Sequence, residues 1–216
     1  FRTIWHLERM GWESGIVIVS PTVHAMAEAA HHDICEHFFP LQAKVYVGFD
    51  GLPSSEFVIA TGWQTAYPVR AVVGPAKKLY FVQDFEPSFY PTGTESVVAD
   101  NTYHFGFFGI TAGGWLARKL KTEYGMQTHA ISFGVDHELY RQRPRREPHI
   151  KRVFFYARPP TPRRAFEFGL LVLEAVSRKI PDTQFILAGW DVGDYHIPFS
   201  HLAAGVITPE ELADVF

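Results

Sequence analysis

Apolar residues fall along this chain in short dense blocks separated by longer stretches with helical periodicity. Eight blocks read as strands: 15–20, 44–48, 57–61, 78–83, 106–110, 128–132, 151–157 and 183–188. They are β-branched or aromatic and largely uninterrupted by charge, as strands covered on both faces of a parallel sheet are. Between them lie helix candidates at 24–39, 62–73, 93–103, 112–124, 164–179 and 208–216. Such alternation predicts an α/β architecture with parallel sheets.

The rhythm breaks over 133–149, where Gly134, Pro144 and Pro148 accompany four arginines and few apolar residues. That composition predicts a linker between two Rossmann-like domains. The division is residues 1–136, a linker at 137–150, and the first part of a second domain at 151–216. Residue 1 falls inside an amphipathic pattern (Ile4, Leu7, Met10), and Phe216 lies in a periodic stretch with no stop signal. Both ends therefore read as cut, and some 65 residues after the linker are too few for a whole α/β domain.

Composition narrows the function classes. The chain has 216 residues, 47% of them apolar and 15% aromatic, with 20% charged. Disorder is not the default for such a chain. The single cysteine, Cys35, excludes a disulfide framework and a cysteine zinc site, and fits a reducing compartment. No apolar run approaches 18 residues. Net charge is −3, but its distribution is uneven. Residues 118–164 hold 12 Lys or Arg against four acids, a net +8, which leaves −11 for the rest. An anionic partner near the basic stretch is the natural reading. Nucleic acid is not expected, because aromatics are not interleaved with these arginines as a stacking platform requires. A small phosphorylated ligand fits.

No dinucleotide fingerprint, phosphate loop, zincin helix or nucleophile elbow occurs. The glycines of the 108–114 stretch sit at a strand-to-helix junction and are read as packing. His24, His31, His32 and His37, with Asp33 and Glu36, offer i,i+4 pairs but no metal motif. They are read as a solvated helix face, and no metal is expected.

Two segments carry chemistry. The run Val82-Gln83-Asp84-Phe85-Glu86-Pro87-Ser88-Phe89-Tyr90-Pro91 follows a strand, where α/β folds place ligand-binding groups. Asp84 and Glu86 suit hydroxyl orientation or acid/base work, and Phe89 and Tyr90 suit an apolar wall against a sugar. The run Tyr156-Ala157-Arg158-Pro159-Pro160-Thr161-Pro162-Arg163-Arg164 delivers three arginines to a strand end before a helix. Guanidinium forks beside a helix N-terminus suit a diphosphate. Arg163 and Arg164 would otherwise oppose the helix dipole.

The ordered set Ile110-Thr111-Ala112-Gly113-Gly114-Trp115-Leu116, Tyr124-Gly125 and Ser132-Phe133-Gly134-Val135-Asp136-His137-Glu138-Leu139-Tyr140 resembles the retaining GT-B nucleotide-sugar glycosyltransferases. Ala157-Arg158 stands where that family shows Gly-Arg, and Arg163 or Arg164 where it shows lysine. Gln83-Asp84-Phe85-Glu86-Pro87 and the stretch 57–66, which includes Trp63, bring the resemblance closest to bacterial rhamnosyltransferase-like members. It covers roughly the whole chain.

The resemblance implies two Rossmann-like domains, a donor held by the second and a glycan acceptor by the first. It implies transfer of a sugar, rhamnose among the candidates, from a nucleoside-diphosphate sugar such as dTDP-rhamnose, with no cofactor and no metal. Implied catalytic residues are Asp84 and Glu86. Implied diphosphate ligands are Arg158, Arg163 and Arg164. Gly134, Asp136, Tyr90 and Trp63 would line the cleft between donor and acceptor. The implied location is the cytoplasm, with peripheral association at the inner face of the membrane. A nucleotide-sugar 2-epimerase and a non-catalytic glycan-binding or nucleotide-sugar-binding subunit share the same features.

Overall fold

The computed structural model describes residues 1–19, 26–142, 144 and 149–215. The chain divides into two compact units: Phe1–Asp84 with Val98–Ile131, and Phe85–Val97 with Ser132–Phe216.

The first unit opens with helix α1 (Arg2–Arg9), strand β1 (Gly15–Ile18), helix α2 (Ala27–His37) and strand β2 (Lys44–Val47). β1 and β2 pair in parallel over a core of Ala30, Ile34, Leu41, Ala43 and Val45, with Ile4 and Trp5 of α1 packed against it. Glu8 ties α1 down: its carboxylate accepts hydrogen bonds from the amides of Gln42 (3.0 Å) and Ala43 (2.7 Å). The start of the 24–39 helix candidate, with His24, lies outside the described residues.

Next come β3 (Phe57–Ala60), α3 (Trp63–Ala71), β4 (Lys77–Val82), α4 (Thr94–Asn101), β5 (Phe108–Ala112), α5 (Gly114–Tyr124) and β6 (Thr128–Ile131). The four strands form a parallel sheet in the order β3-β4-β5-β6. Each strand reaches its parallel neighbour by a crossover that carries a helix, as parallel pairing requires. Tyr80, Val82, Leu116 and Leu120 are fully or almost fully buried there.

β5 starts and ends two residues later than its pattern predicts. Thr111 and Ala112 pair with Ala130 and Ile131, so the ladder holds them in the strand and α5 waits until Gly114. At the other end Gly106 adopts φ +76°, a conformation that does not continue a strand.

The second unit contains a 3-10 turn (Glu86–Phe89), then β7 (Lys151–Tyr156), a 3-10 turn (Pro162–Arg164), α6 (Phe166–Lys179), β8 (Thr183–Ala188), β9 (Leu202–Gly205) and α7 (Pro209–Val215). Its sheet is parallel in the order β7-β8-β9. Ala157, Phe166, Leu173, Phe185, Leu187 and Val192 form its core. The fold is thus α/β with parallel sheets in both units.

Two differences from the sequence pattern bear on function. β9 was not among the eight predicted strands: Leu202-Ala203-Ala204-Gly205 has little intrinsic strand preference and exists because β8 offers it a ladder. α6 starts at Phe166 rather than 164. The chain first makes a 3-10 turn at Pro162, and Ala165 then adopts the left-handed conformation (φ 49°, ψ 49°). Arg163 and Arg164 therefore sit in the turn ahead of the helix. Among the described residues of 132–150 there is no helix or strand.

Candidate functional site

In a parallel sheet the carboxyl ends of the strands face the crevice where ligands bind. In the second unit that edge gathers the basic residues that the sequence singles out. β7 ends at Tyr156, and the Ala157 amide still donates to the Ala188 carbonyl at 2.7 Å, which keeps the chain in the sheet for one more residue. Arg158 then leaves the sheet, and its carbonyl accepts from the Thr161 amide (3.0 Å) to close a turn.

The Arg158 guanidinium lies near two aromatic rings. Its Cζ is 5.8 Å from the centre of Tyr156 and 5.8 Å from that of Trp190, both within cation–π range. Its Nη1 donates to the Tyr156 hydroxyl at 3.0 Å. Its Nε is buried and has no hydrogen-bond acceptor. Arg164 shares the Tyr156 ring, also at 5.8 Å. Arg163 lies over Phe89, with its Cζ 3.8 Å from the ring centre. Neither Arg158 nor Arg164 has an acidic partner among the described residues. Two cations around one ring and a buried donor without an acceptor are an arrangement that an anion completes.

β8 builds the other wall. It ends at Ala188, and Gly189 follows at φ +109° with its amide donating to the Gly205 carbonyl (2.7 Å) at the end of β9. A Cβ on Gly189 would stand 2.5 Å from the Tyr156 ring. The ring therefore lies directly over this glycine, and Trp190 comes next. Tyr156, Gly189 and Trp190 were not among the predicted site residues. Gly189-Trp190 follows a predicted strand just as Arg158 does, but that position alone does not mark them, since their residue types carry no charge or motif.

The remaining candidates are placed as follows. Asp84, two residues past β4 in the first unit, is exposed, and its carbonyl accepts from the Tyr103 hydroxyl at 3.4 Å. Trp63, half-buried, is the first residue of α3. There Thr65 Oγ1 accepts from the amides of Thr61 (2.8 Å) and Gly62 (3.1 Å) and so orders the helix start.

In the second unit Glu86 is 5% exposed, in the 3-10 turn that Tyr90 terminates. Glu86 and Tyr90 are both engaged by neighbours. Asp136 accepts from the amides of Glu138 (3.1 Å) and Leu139 (3.2 Å), so its carboxylate orders the turn that follows it. Gly134 is exposed, and nothing lies within 4 Å of where its Cβ would be, so local packing does not demand glycine there.

The described histidines of that group, His31, His32 and His37, serve local structure. His31 bonds the Leu41 carbonyl (3.1 Å), His37 the Asp33 carbonyl (3.1 Å), and His32 lies 3.4 Å from Glu36 on the exposed face of α2. Among the described residues no group of three or more His, Cys, Asp or Glu is placed to hold a metal ion. No helix there is long and apolar enough to cross a membrane.

With this geometry in place, comparison with known proteins adds two findings. Residues 51–111 match the family "WsaF, N-terminal domain". The match runs from six residues before β3 to the penultimate residue of β5, and includes Trp63, Asp84, Glu86 and Tyr90. Over 151 residues, 68% of this chain, the sequence is 37% identical to the O-antigen biosynthesis protein RfbC of Myxococcus xanthus. That alignment covers 12% of the relative's length, so the chain corresponds to a small part of it. The arginine–aromatic edge of the second unit lies outside the matched WsaF domain.

Proposed function

We propose that this chain is part of a glycosyltransferase that works in surface-polysaccharide synthesis, passing a sugar from a nucleoside-diphosphate donor to a glycan acceptor. The observation that carries this reading is the end of β7. There Arg158 and Arg164 flank Tyr156 without acidic partners, and Arg158 Nε is buried without an acceptor. The likeness to an O-antigen biosynthesis protein and to the WsaF N-terminal domain supports the same class of chemistry.

In this reading the second unit holds the donor in a GT-B enzyme. The diphosphate becomes a leaving group as the sugar departs, and negative charge grows on its oxygens. Guanidinium groups fixed beforehand stabilise that charge without reorganising at the moment of transfer. Two arginines supply this neutralisation where a divalent ion would otherwise be needed. Arg163 would join them. Asp84, exposed in the first unit, would orient an acceptor hydroxyl, and Glu86, buried in the second, would act near the transferred sugar. Tyr90, Gly134 and Asp136 of the second unit and Trp63 of the first would be further substrate-contacting residues. Rhamnose as the sugar, with dTDP-rhamnose as donor, is the finer form of the proposal.

The test is calorimetric titration of the full-length protein with nucleoside diphosphates. Arg158→Ala removes charge-assisted hydrogen bonds and should weaken binding by about 10- to 100-fold. Unchanged affinity would remove Arg158 from the donor site. A thermal-shift screen of nucleotide sugars at one concentration on the same protein ranks the donors, since a ligand that binds only the folded state raises the midpoint further the more tightly it binds. dTDP-rhamnose ranking no higher than UDP- or GDP-sugars would overturn the rhamnose assignment.

A further inference from the structure

Arginines that bind anions are commonly steered by a carboxylate; Arg158 is steered by a phenol. A guanidinium has five N–H donors. One is taken by the Tyr156 hydroxyl at 3.0 Å, and Nε meets no acceptor. The group also lies within cation–π range of Tyr156 and Trp190, each ring centre 5.8 Å from Cζ. Resting on the diphosphate reading above, we infer that Tyr156 is the positioning residue of that site: it sets the orientation of Arg158 through its hydroxyl and ring, leaving the positive charge whole.

The chemistry favours a phenol here. A carboxylate in the same place would fix the guanidinium equally well, but would cancel the charge that an incoming diphosphate needs and would repel the diphosphate itself. A neutral hydroxyl accepts one hydrogen bond and does neither. The ring face adds attraction for cations, and Arg164 uses the same ring at 5.8 Å, so one side chain gathers two guanidiniums.

Tyr156 is in turn fixed by its floor. Its ring lies where a Gly189 Cβ would be, 2.5 and 2.7 Å from two ring carbons, and Gly189 is bonded to the end of β9. The side chain is still 44% exposed, which leaves the site open to ligand.

Tyr156→Phe keeps the ring and removes the hydroxyl. The experiment measures calorimetric affinity of the full-length protein for ADP, GDP, UDP and dTDP, and carries the tightest forward into a double-mutant cycle. Tyr156→Phe alone should weaken that ligand by about 3- to 10-fold, the worth of one hydrogen bond. In the Arg158→Ala background it should change nothing further, because Tyr156 acts through Arg158. A merely structural role would give the same loss in both backgrounds, and that result overturns the inference, as does no loss in the single variant. If none of the four diphosphates binds, or if Arg158→Ala is silent, the diphosphate reading itself fails. If Arg158→Ala weakens binding and Tyr156→Phe does not, only the role of Tyr156 falls.

Discussion

Replacing Gly189 with alanine tests the geometry on which the arginine site rests. Gly189 sits at φ +109°, well outside the left-handed basin near +57° that other residues occasionally visit. Forcing alanine there costs about 1–3 kcal/mol in backbone strain. The added Cβ would meet two Tyr156 ring carbons at 2.5 and 2.7 Å and the Ala157 carbonyl oxygen at 3.0 Å. Carbon atoms pack at about 3.5–4.0 Å, so the ring must retreat by about 1 Å.

The Ala157 carbonyl follows directly on β7 and has little freedom to yield. Overpacking of this kind costs about a further 1–3 kcal/mol. The sum, about 2–6 kcal/mol, is large against the 5–15 kcal/mol that holds a typical domain. Urea titration followed by far-ultraviolet circular dichroism should show a lowered midpoint for the second unit. Repeating the substitution in a Tyr156→Ala background isolates the ring's share: the backbone strain of about 1–3 kcal/mol and the Ala157 carbonyl contact remain, so the penalty should fall but not vanish. An equal penalty in both backgrounds, or a change below about 0.5 kcal/mol, would show that the ring does not lie over Gly189.

Two further expectations follow from the cores. Tyr124 donates a short hydrogen bond to Asp100, and burial, then this bond and the Asp100 charge, raise its phenol pKa. The unfolded chain releases that proton near pH 10 while the folded chain keeps it, so the stabilisation is complete below about pH 10 and is lost as pH climbs toward the raised value. In an ultraviolet titration of the nine tyrosines, Tyr124→Phe should remove one late-ionising phenol from the curve. On α6, Phe166 is 2% exposed and stacks on Phe155, whereas Phe168 is 67% exposed. Phe166→Ala should cost about 3–5 kcal/mol and Phe168→Ser less than about 0.5 kcal/mol in the same urea titration; comparable losses would mean that the helix faces the other way.

Much of the fold was legible before any coordinates, because a strand buried on both faces has to be apolar along its length. Lys151–Tyr156 and Thr183–Ala188 announce themselves in this way. The segment Leu202–Gly205 does not, since alanine and glycine carry no strand signal and the pairing partner is distant in sequence. The candidate site was legible in the same uneven manner. Arg158, Arg163 and Arg164 stand out as a charge cluster at a strand end. Tyr156, Gly189 and Trp190 do not, because a tyrosine, a glycine and a tryptophan look ordinary until two parallel strands bring them side by side.

Residue order by itself therefore determined the α/β alternation, the parallel pairing and the position of the basic cluster, since hydrophobic periodicity and local charge are properties of neighbours in sequence. Only the tertiary structure decided what the arginines face. Register between β7 and β8 sets Tyr156 against Ala188 and its ring over Gly189, and that contact joins residues 33 apart, beyond the reach of any local pattern.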